Sequence, residues 1–255
     1  MTEILRITGL CKNFGGVSAV IDFGMVQKDN EISGIIGPNG AGKTTVFNLI
    51  TGIYPAGSGE ISFLGQKIAG LPPHRITALG ITRTFQNIRL FRNLNVLDNV
   101  KAAYGVRTRY TMWEEMVRYG RVIKEEERTE ELARGFLVYF GLERHAGSFP
   151  YNLPYGLQRR LELARALMAE PKLLLLDEPG AGLNPKEIRQ LMETLLRIQQ
   201  DKALSIIIVE HHMELVMKIC KKIHVLNFGK KIAEGDPGVI QKNEAVLQAY
   251  LGDGA

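Results

Sequence analysis

The residues best suited to chemistry form a glycine-rich segment in the first fifth of the chain. It runs Gly37-Pro38-Asn39-Gly40-Ala41-Gly42-Lys43-Thr44, with Thr45 next, and fits the pattern G-x-x-x-x-G-K-[ST]. Such a loop lets several backbone N–H groups converge on phosphate oxygens, and the helix that follows favours anions. Lys43 would add charge near the β- and γ-phosphates, and the Thr44 hydroxyl would bind Mg²⁺. The segment predicts a site for a nucleoside triphosphate with Mg²⁺.

A second segment ends in two adjacent carboxylates. Four leucines, residues 173–176, precede Asp177 and Glu178. Alone, this run is typical of any buried strand of a parallel sheet. Together with the loop it forms the expected second half of the site, in which Asp177 holds Mg²⁺ through water and Glu178 polarises the attacking water as general base.

The surrounding elements must place these groups together. Ile32, Ile35 and Ile36 predict a buried strand before the loop, and Val46, Leu49 and Ile50 a helix after it. The other predicted strands and helices follow in chain order: strands at residues 3–9, 17–26 and 59–64 in an antiparallel layer, helices at 94–104 and 111–141, a helix capped by Asn184, a strand at 204–209, and a helical face of Leu215, Val216 and Ile219.

Bulk properties narrow the class of protein. The chain has 255 residues, 45% of them hydrophobic, and a net charge of +5 from 32 basic and 27 acidic side chains. Its most charged stretch, residues 114–134, mixes both signs, which indicates a solvated helix surface rather than a nucleic-acid-binding stripe. Only Cys11 and Cys220 are present, so reduced thiols are expected. No secretory signal and no membrane span are expected, and any membrane role must come through a partner.

Four further segments complete an ordered series. They are Arg83-Thr84-Phe85-Gln86, the run LPYGLQRRLELARAL at 153–167, Gly182-Leu183-Asn184-Pro185, and Val209-Glu210-His211. Together with the glycine-rich segment at 37–44 and the acidic segment at 173–178, the series resembles the ATP-binding cassette (ABC) ATPase family over essentially the whole chain. The resemblance implies an α/β P-loop NTPase fold with a central, mostly parallel sheet, an antiparallel β subdomain and a helical subdomain inserted at about residues 88–165. All three would belong to a single domain at 1–255.

The resemblance also implies roles for individual residues. Phe14 would stack on the adenine of ATP, Gln86 would contact Mg²⁺ and the attacking water, and His211 would be the switch histidine at the γ-phosphate. Residues 153–158 would form the signature loop, in which Tyr155, Gly156 and Gln158 contact nucleotide. Leu183 and Asn184 would form the D-loop.

The chain departs from the family pattern in the signature loop. The family usually has Leu-Ser-Gly-Gly-Gln there, where this chain has Leu153-Pro154-Tyr155-Gly156-Leu157 with Gln158 next. Pro154 offers neither a hydroxyl nor an N–H, which weakens the expected grip on the γ-phosphate. Asn184 and His212 replace aspartates that are commoner at those family positions.

Four runs narrow the resemblance to ATPase subunits of branched-chain amino-acid importers: RTFQNIRLFRNLNVLDNV at 83–100, DEPGAGLNP at 177–185, VEHHMELVMKI at 209–219 and the ending AYLGDGA. The resemblance implies a second ABC ATPase subunit, identical or not, two transmembrane permeases, and indirectly a periplasmic or extracellular binding protein. The expected location is peripheral, on the cytoplasmic face of the inner membrane.

Other functions share many of these residues. Urea and amide importers and the lipopolysaccharide-export ATPase are the nearest alternatives, and genes for a binding protein and two permeases nearby would favour import. A soluble ABC protein of DNA repair or translation usually has two cassettes or large insertions, and it would bind nucleic acid tightly in a salt-sensitive way. An inactive nucleotide-binding scaffold is disfavoured by the intact Lys43, Gln86, Asp177, Glu178 and His211.

Overall fold

The computed structural model describes residues 2–106 and 120–251. The chain divides into two compact units, the first made of the residues up to 86 and from 172 onward, the second of residues 87–171. The predicted insertion at 88–165 stays a prediction as a subdomain assignment. Within the described ranges, no helix is long and apolar enough to cross a membrane.

The first unit contains two sheets and the helices that pack on them. Its strands are β1 (Glu3–Phe14), β2 (Val17–Lys28), β3 (Ile32–Ile36), β4 (Ser58–Phe63), β5 (Gln66–Lys67), β6 (Ile81–Arg83), β7 (Leu173–Asp177), β8 (Ser205–Val209), β9 (Lys222–Asn227) and β10 (Lys230–Gly235). Its helices are α1 (Lys43–Ile50), α2 (Pro73–Leu79), α6 (Pro185–Lys202), α7 (Met213–Ile219), α8 (Pro237–Gln241) and α9 (Glu244–Leu251).

The six-stranded sheet positions the predicted site. Its order is β10-β9-β3-β8-β7-β6, and every neighbouring pair is parallel except β9 and β10. Val209, the last residue of β8, pairs in register with Ile35 of β3 and with Asp177 of β7. The carboxyl ends of these three central strands therefore lie side by side at one edge, where open α/β sheets bind ligands.

The four-stranded antiparallel sheet has the order β2-β1-β4-β5 and shares one hydrophobic core with the larger sheet. Buried Phe23 and Phe63 from this sheet and Phe47 from α1 are among the largest side chains of that core. The antiparallel layer predicted from residues 3–9, 17–26 and 59–64 is thus confirmed, although β1 continues to Phe14.

The second unit is helical over its described residues. Its elements are α3 (Val96–Lys101), a 3₁₀ helix at Ala102–Val106, α4 (Gly120–Phe140), two short 3₁₀ turns at Glu143–His145 and Pro150–Asn152, and α5 (Tyr155–Met168). The helix predicted at 94–104 is present, although α3 begins only at Val96 and gives way to 3₁₀ geometry after Lys101. The helix predicted at 111–141 is present from Gly120, and residues 111–119 lie outside the described ranges.

Buried His224 on β9 makes folding of the first unit sensitive to acid. Its ring is fully buried, with Nδ1 3.2 Å from Oε2 of Glu234, and burial lowers its pKa from 6.5 to about 4. Between those pH values the unfolded chain binds a proton that the folded chain excludes. The contribution of His224 to the free energy of unfolding is therefore fully present above pH 6.5 and is lost as the pH drops toward 4.

We expect the free energy of unfolding to fall by ~2 kcal/mol between about pH 7.5 and about pH 5 through this group. His224→Leu, an apolar side chain of similar size, should flatten that dependence, whereas exposed His74→Leu should leave it unchanged. Urea unfolding followed by circular dichroism at the two pH values measures the difference. An unaltered pH dependence in His224→Leu would refute the assignment.

Candidate nucleotide-binding site

The glycine-rich loop joins β3 to α1 in a backbone conformation that requires glycine. Gly37, Gly40 and Gly42 have φ angles of 151°, 79° and 103°. A Cβ at Gly37 would lie 2.1 Å from the carbonyl oxygen of Leu226, and one at Gly42 would lie 2.3 Å from that of Ala19. The loop is thus held tightly against β9 and β2. No side chain caps the start of α1, so its first-turn N–H groups remain available to an anion.

Lys43 lies folded over the first half of this loop. Its Nζ donates to the carbonyl oxygens of Gly37 at 2.8 Å and Pro38 at 2.9 Å. Burial lowers the pKa of the ammonium group, and the nearby carboxylates of Glu178 and Asp177 partly offset this. The ammonium group is therefore a buried charge with opposite charges close by. The side chains of Thr44 and Asn39 are exposed.

Asp177 is buried at the end of β7 with one oxygen satisfied and the other unpaired. Its Oδ2 accepts a hydrogen bond from Nη2 of Arg83 at 2.7 Å, and both side chains are almost fully buried. Its Oδ1 has no hydrogen-bond partner among the described residues. A buried carboxylate oxygen without a partner is costly unless a ligand supplies one. Together with the exposed Thr44 hydroxyl, this oxygen fits a hydrated Mg²⁺, which prefers oxygen ligands and retains waters.

Glu178 lies between the two other polar residues predicted for hydrolysis. Its Oε2 accepts a hydrogen bond from Nε2 of Gln86 at 2.8 Å and lies 3.8 Å from Nδ1 of His211. The backbone of Glu178 has φ of 47°, a left-handed conformation that strains a non-glycine residue. The strained turn is held by the bond from its N–H to the carbonyl of Val209 at 2.8 Å. Gln86, Glu178 and His211 thus meet in the first unit, as a water-activating group requires.

Phe14 ends β1 and is 42% exposed. Tyr54, just after α1, contacts it edge-on at 5.1 Å between ring centroids, and Nζ of Lys12 lies 5.2 Å from the ring centre. The arrangement can support an adenine by stacking. Tyr54 was not predicted for this site, because nothing in the spacing of residues 14 and 54 indicates that they meet.

The predicted signature loop of the second unit leads into α5. Pro154 is the N-cap residue and provides no side-chain cap for the first turn of this helix. Gln158 donates from Nε2 to the carbonyl of Leu153 at 2.9 Å and so braces its own loop. Tyr155 is exposed, and its hydroxyl accepts a hydrogen bond from Nη2 of Arg159 at 3.1 Å. Gly156 is half-buried beside it. The helix start can still attract phosphate through its backbone.

Comparison with known proteins connects this geometry to a family. Residues 22–181 match the family model described as ABC transporter. The chain belongs to the ABC transporter family. Residues 230–255 additionally match a model described as branched-chain amino acid ATP-binding cassette transporter.

Relatives in this family align along the full chain. LivG of Escherichia coli K12, a high-affinity branched-chain amino acid transport ATP-binding protein, is 40% identical over 250 residues, covering 98% of both chains. LptB of the same organism, the ATP-binding protein of a lipopolysaccharide export system, is 33% identical over 98% of this chain and 97% of its own. A crystal structure of an ATP-binding cassette of an ABC transporter in its ADP conformation has a TM-score of 0.85 at 28% identity, covering 99% of this chain and 100% of its own.

Family membership makes this chain an ATP-binding and ATP-hydrolysing subunit, with the ABC ATPase fold expected from its sequence.

Two buried charged residues of this ABC subunit were missed as site residues. Arg83 holds Asp177 and also donates from Nη1 to Oδ1 of Asn48 at 2.7 Å. Glu210 is fully buried directly after β8. For Glu210, the sequence did offer a signal, which is an acidic residue immediately after an apolar strand. The same signal predicted the roles of Asp177 and Glu178.

Proposed function

We propose that this ABC subunit hydrolyses ATP to power the import of branched-chain amino acids through partner permeases, from a peripheral position on the cytoplasmic face of the membrane. The observation that carries the proposal is the cluster at the carboxyl edge of the parallel sheet. There the glycine-rich loop at residues 37–44, the P-loop, converges with Asp177, one of whose oxygens is unpaired, and with the Gln86–Glu178 pair. The match of residues 230–255 and the 40% identity to LivG support this transport class.

Each residue of the cluster has a defined part in this proposal. The P-loop amides and Lys43 bind the phosphates, with Lys43 released from the carbonyls of Gly37 and Pro38. Thr44 and Asp177 hold Mg²⁺, with Gln86 as a further contact. When bound, Mg²⁺ neutralises charge on the phosphate oxygens. Glu178 accepts the proton of the attacking water, and His211 contacts the γ-phosphate.

The proposal includes a second ABC subunit, identical or not, in a head-to-tail dimer. The signature loop at 153–158 would contact ATP on the partner, while the partner's loop would contact ATP on this P-loop. ATP would then bind the two subunits together, and hydrolysis would remove that link. Two permeases would change conformation with each cycle of ATP binding and hydrolysis, and a binding protein would deliver the amino acid to them.

Purification of the native complex tests the assignment of partners. A tag on this chain should recover a second ABC ATPase, two permeases and, on crosslinking, a binding protein that retains leucine, isoleucine or valine. The LptB relative keeps lipopolysaccharide export as the second candidate. Recovery of export permeases without an amino-acid-binding protein would overturn the import proposal and support the second candidate.

In the second unit, the side chain of Phe91 offers a surface that would contact a permease. Its ring is 53% exposed, and the guanidinium of Arg165 lies 5.5 Å from its centre. The backbone is fixed beneath it, because the buried amide of Asn99 accepts from the N–H of Phe91 at 2.9 Å and donates to its carbonyl at 3.0 Å. An exposed aromatic on a rigid loop with an arginine beside it has the composition of an interface anchor. Val96, by contrast, is fully buried.

We expect Phe91→Ala to uncouple hydrolysis from transport while nucleotide affinity and thermal stability stay close to those of the unmodified chain. The matched control is Val138→Ala, a similarly exposed apolar residue on α4. Uptake into vesicles, ATP hydrolysis and thermal unfolding would be measured for both. A large loss of stability would assign Phe91 to the core, and unchanged uptake would exclude it from docking.

A further inference from the structure

The buried carboxylate of Glu210 connects the two loops that lead away from β7 and β8. Its Oε1 accepts a hydrogen bond from the N–H of Gly180 at 2.6 Å. Its Oε2 accepts from the N–H groups of His211 at 2.9 Å and His212 at 3.0 Å. The ring Nδ1 of His212 lies at 3.0 Å from the same oxygen and donates, since a carboxylate oxygen can only accept. Four donors thus converge on one fully buried side chain.

The connected loops contain the residues proposed to act on ATP. Gly180 lies two positions after Glu178, and His211 directly follows Glu210. Nδ1 of His211 is 3.8 Å from Oε2 of Glu178 and 3.9 Å from Oε2 of Glu210. The N–H of Glu210 also bonds to the carbonyl of Ile35 at 3.4 Å, next to the start of the P-loop. One carboxylate therefore fixes the distance between the proposed base and the switch histidine.

We propose that Glu210 is a positioning residue for hydrolysis, which holds His211 and the Glu178–Gly180 turn in register so that both address the same γ-phosphate. The inference rests on the proposed function, in which Glu178 and His211 act there. Glu210 does not touch substrate in this proposal, and it acts through the two loops. Because a misplacement of about 1 Å can cost ~100-fold in rate, the register of these loops controls turnover more than ATP affinity.

The space around Gly180 provides an independent way to perturb this contact. A Cβ at Gly180 would lie 2.7 Å from Oε1 of Glu210 and 3.2 Å from Nδ1 of His212. Gly180 lacks a positive φ, so alanine at this position displaces the carboxylate without straining the backbone. Gly147 is a matched control in the second unit, because it also lacks a positive φ and a Cβ there would have no heavy atom within 4 Å among the described residues.

The test compares Glu210→Gln, Gly180→Ala and Gly147→Ala in the complex that co-purifies with this chain. Glutamine keeps the size of the side chain, but its NH₂ group replaces either Oε1, which faces the N–H of Gly180, or Oε2, which faces the other three donors. We expect Glu210→Gln and Gly180→Ala to lower kcat by about 10- to 100-fold with KM for ATP within about 3-fold, and Gly147→Ala to change neither. The two effects should be less than additive in the double variant, since they break one contact.

A spectroscopic measurement separates positioning from a general structural role. The amide proton of Gly180, bonded to a carboxylate, should resonate far downfield in the ¹H–¹⁵N spectrum of the full chain and move upfield in Glu210→Gln. Wild-type kcat in both Glu210→Gln and Gly180→Ala would overturn the proposal. A loss of kcat confined to a Glu210→Gln variant that fails to fold, with wild-type kcat in Gly180→Ala, would also overturn it. Gly180→Ala disturbs the same contact while keeping the carboxylate of Glu210. Glu178→Gln is measured in parallel. Wild-type turnover in that variant would refute Glu178 as the base, and with it the proposed function on which the positioning role rests.

Discussion

Glu178→Gln should abolish most ATP hydrolysis while preserving ATP binding. The amide cannot accept a proton from water, and loss of a general base costs typically ~10²–10⁴-fold in rate. The fold should tolerate the change, because the side-chain carbonyl of glutamine can still accept the hydrogen bond from Gln86 and the left-handed backbone at residue 178 costs glutamine no more than glutamate. The variant should accumulate as a long-lived, ATP-bound dimer.

Turnover of the assembled complex, ATP affinity of the chain and its dimerisation with ATP measure these three effects. Glu193→Gln, an exposed carboxylate on α6, is the matched control and should behave like the unmodified chain. Turnover near that of the unmodified complex in Glu178→Gln would exclude Glu178 as the base. A loss of ATP binding equal to the loss of hydrolysis would assign it to nucleotide binding instead.

Lys43→Ala should reduce hydrolysis and transport by about 100-fold or more, because it removes the positive charge that, in the proposed mechanism, leaves the carbonyls of Gly37 and Pro38 to bind the phosphates. If the partner is a different subunit, the loss should exceed that from the matching change in the partner. In the proposed head-to-tail dimer, the ATP on this P-loop would face the partner's signature loop, whereas the partner's ATP would face the loop at 153–158. In that loop Pro154 provides no hydroxyl, and Gln158 already donates to Leu153. The two composite sites are therefore predicted to be unequal.

Transport by complexes with one or the other lysine replaced tests this inequality. Lys67→Ala, which removes only an exposed ion pair with Glu60, is the control and should leave transport intact. Equal losses from the two P-loop variants, or a greater loss from the partner's, would contradict the inequality. Full complex-like hydrolysis by a homodimer of this chain would contradict the weakness of its signature loop.

The parts of the site that lie on contiguous sequence were predictable. The P-loop and the acidic strand each carry their chemistry within a few residues, and the capping box of α6 is read directly from Asn184 and Glu187. The parallel sheet followed from short apolar runs such as Leu173–Leu176 and Ile206–Ile208, which are fully buried.

Long-range polar contacts were not predictable from the sequence. Arg83 and Asp177 are 94 positions apart, and Gly180 and Glu210 are 30 apart, so neither pair follows from a periodic pattern. The strands β9 and β10 were also missed. Their runs, KIHVLN and KKIAEG, mix charged and apolar residues. The two strands lie toward the edge of the sheet, where Lys222 of β9 and Lys231 of β10 pair with Glu234 of β10.

ATP-dependent uptake of radiolabelled leucine tests the central claim most directly. Vesicles would contain the complex purified through this chain, with the binding protein outside and Mg-ATP inside. We predict uptake that requires internal ATP, is competed by isoleucine and valine, and disappears with Glu178→Gln in place of the unmodified chain. ATP hydrolysis that is unaffected by any branched-chain amino acid bound to its binding protein, with no uptake of leucine, would contradict the account.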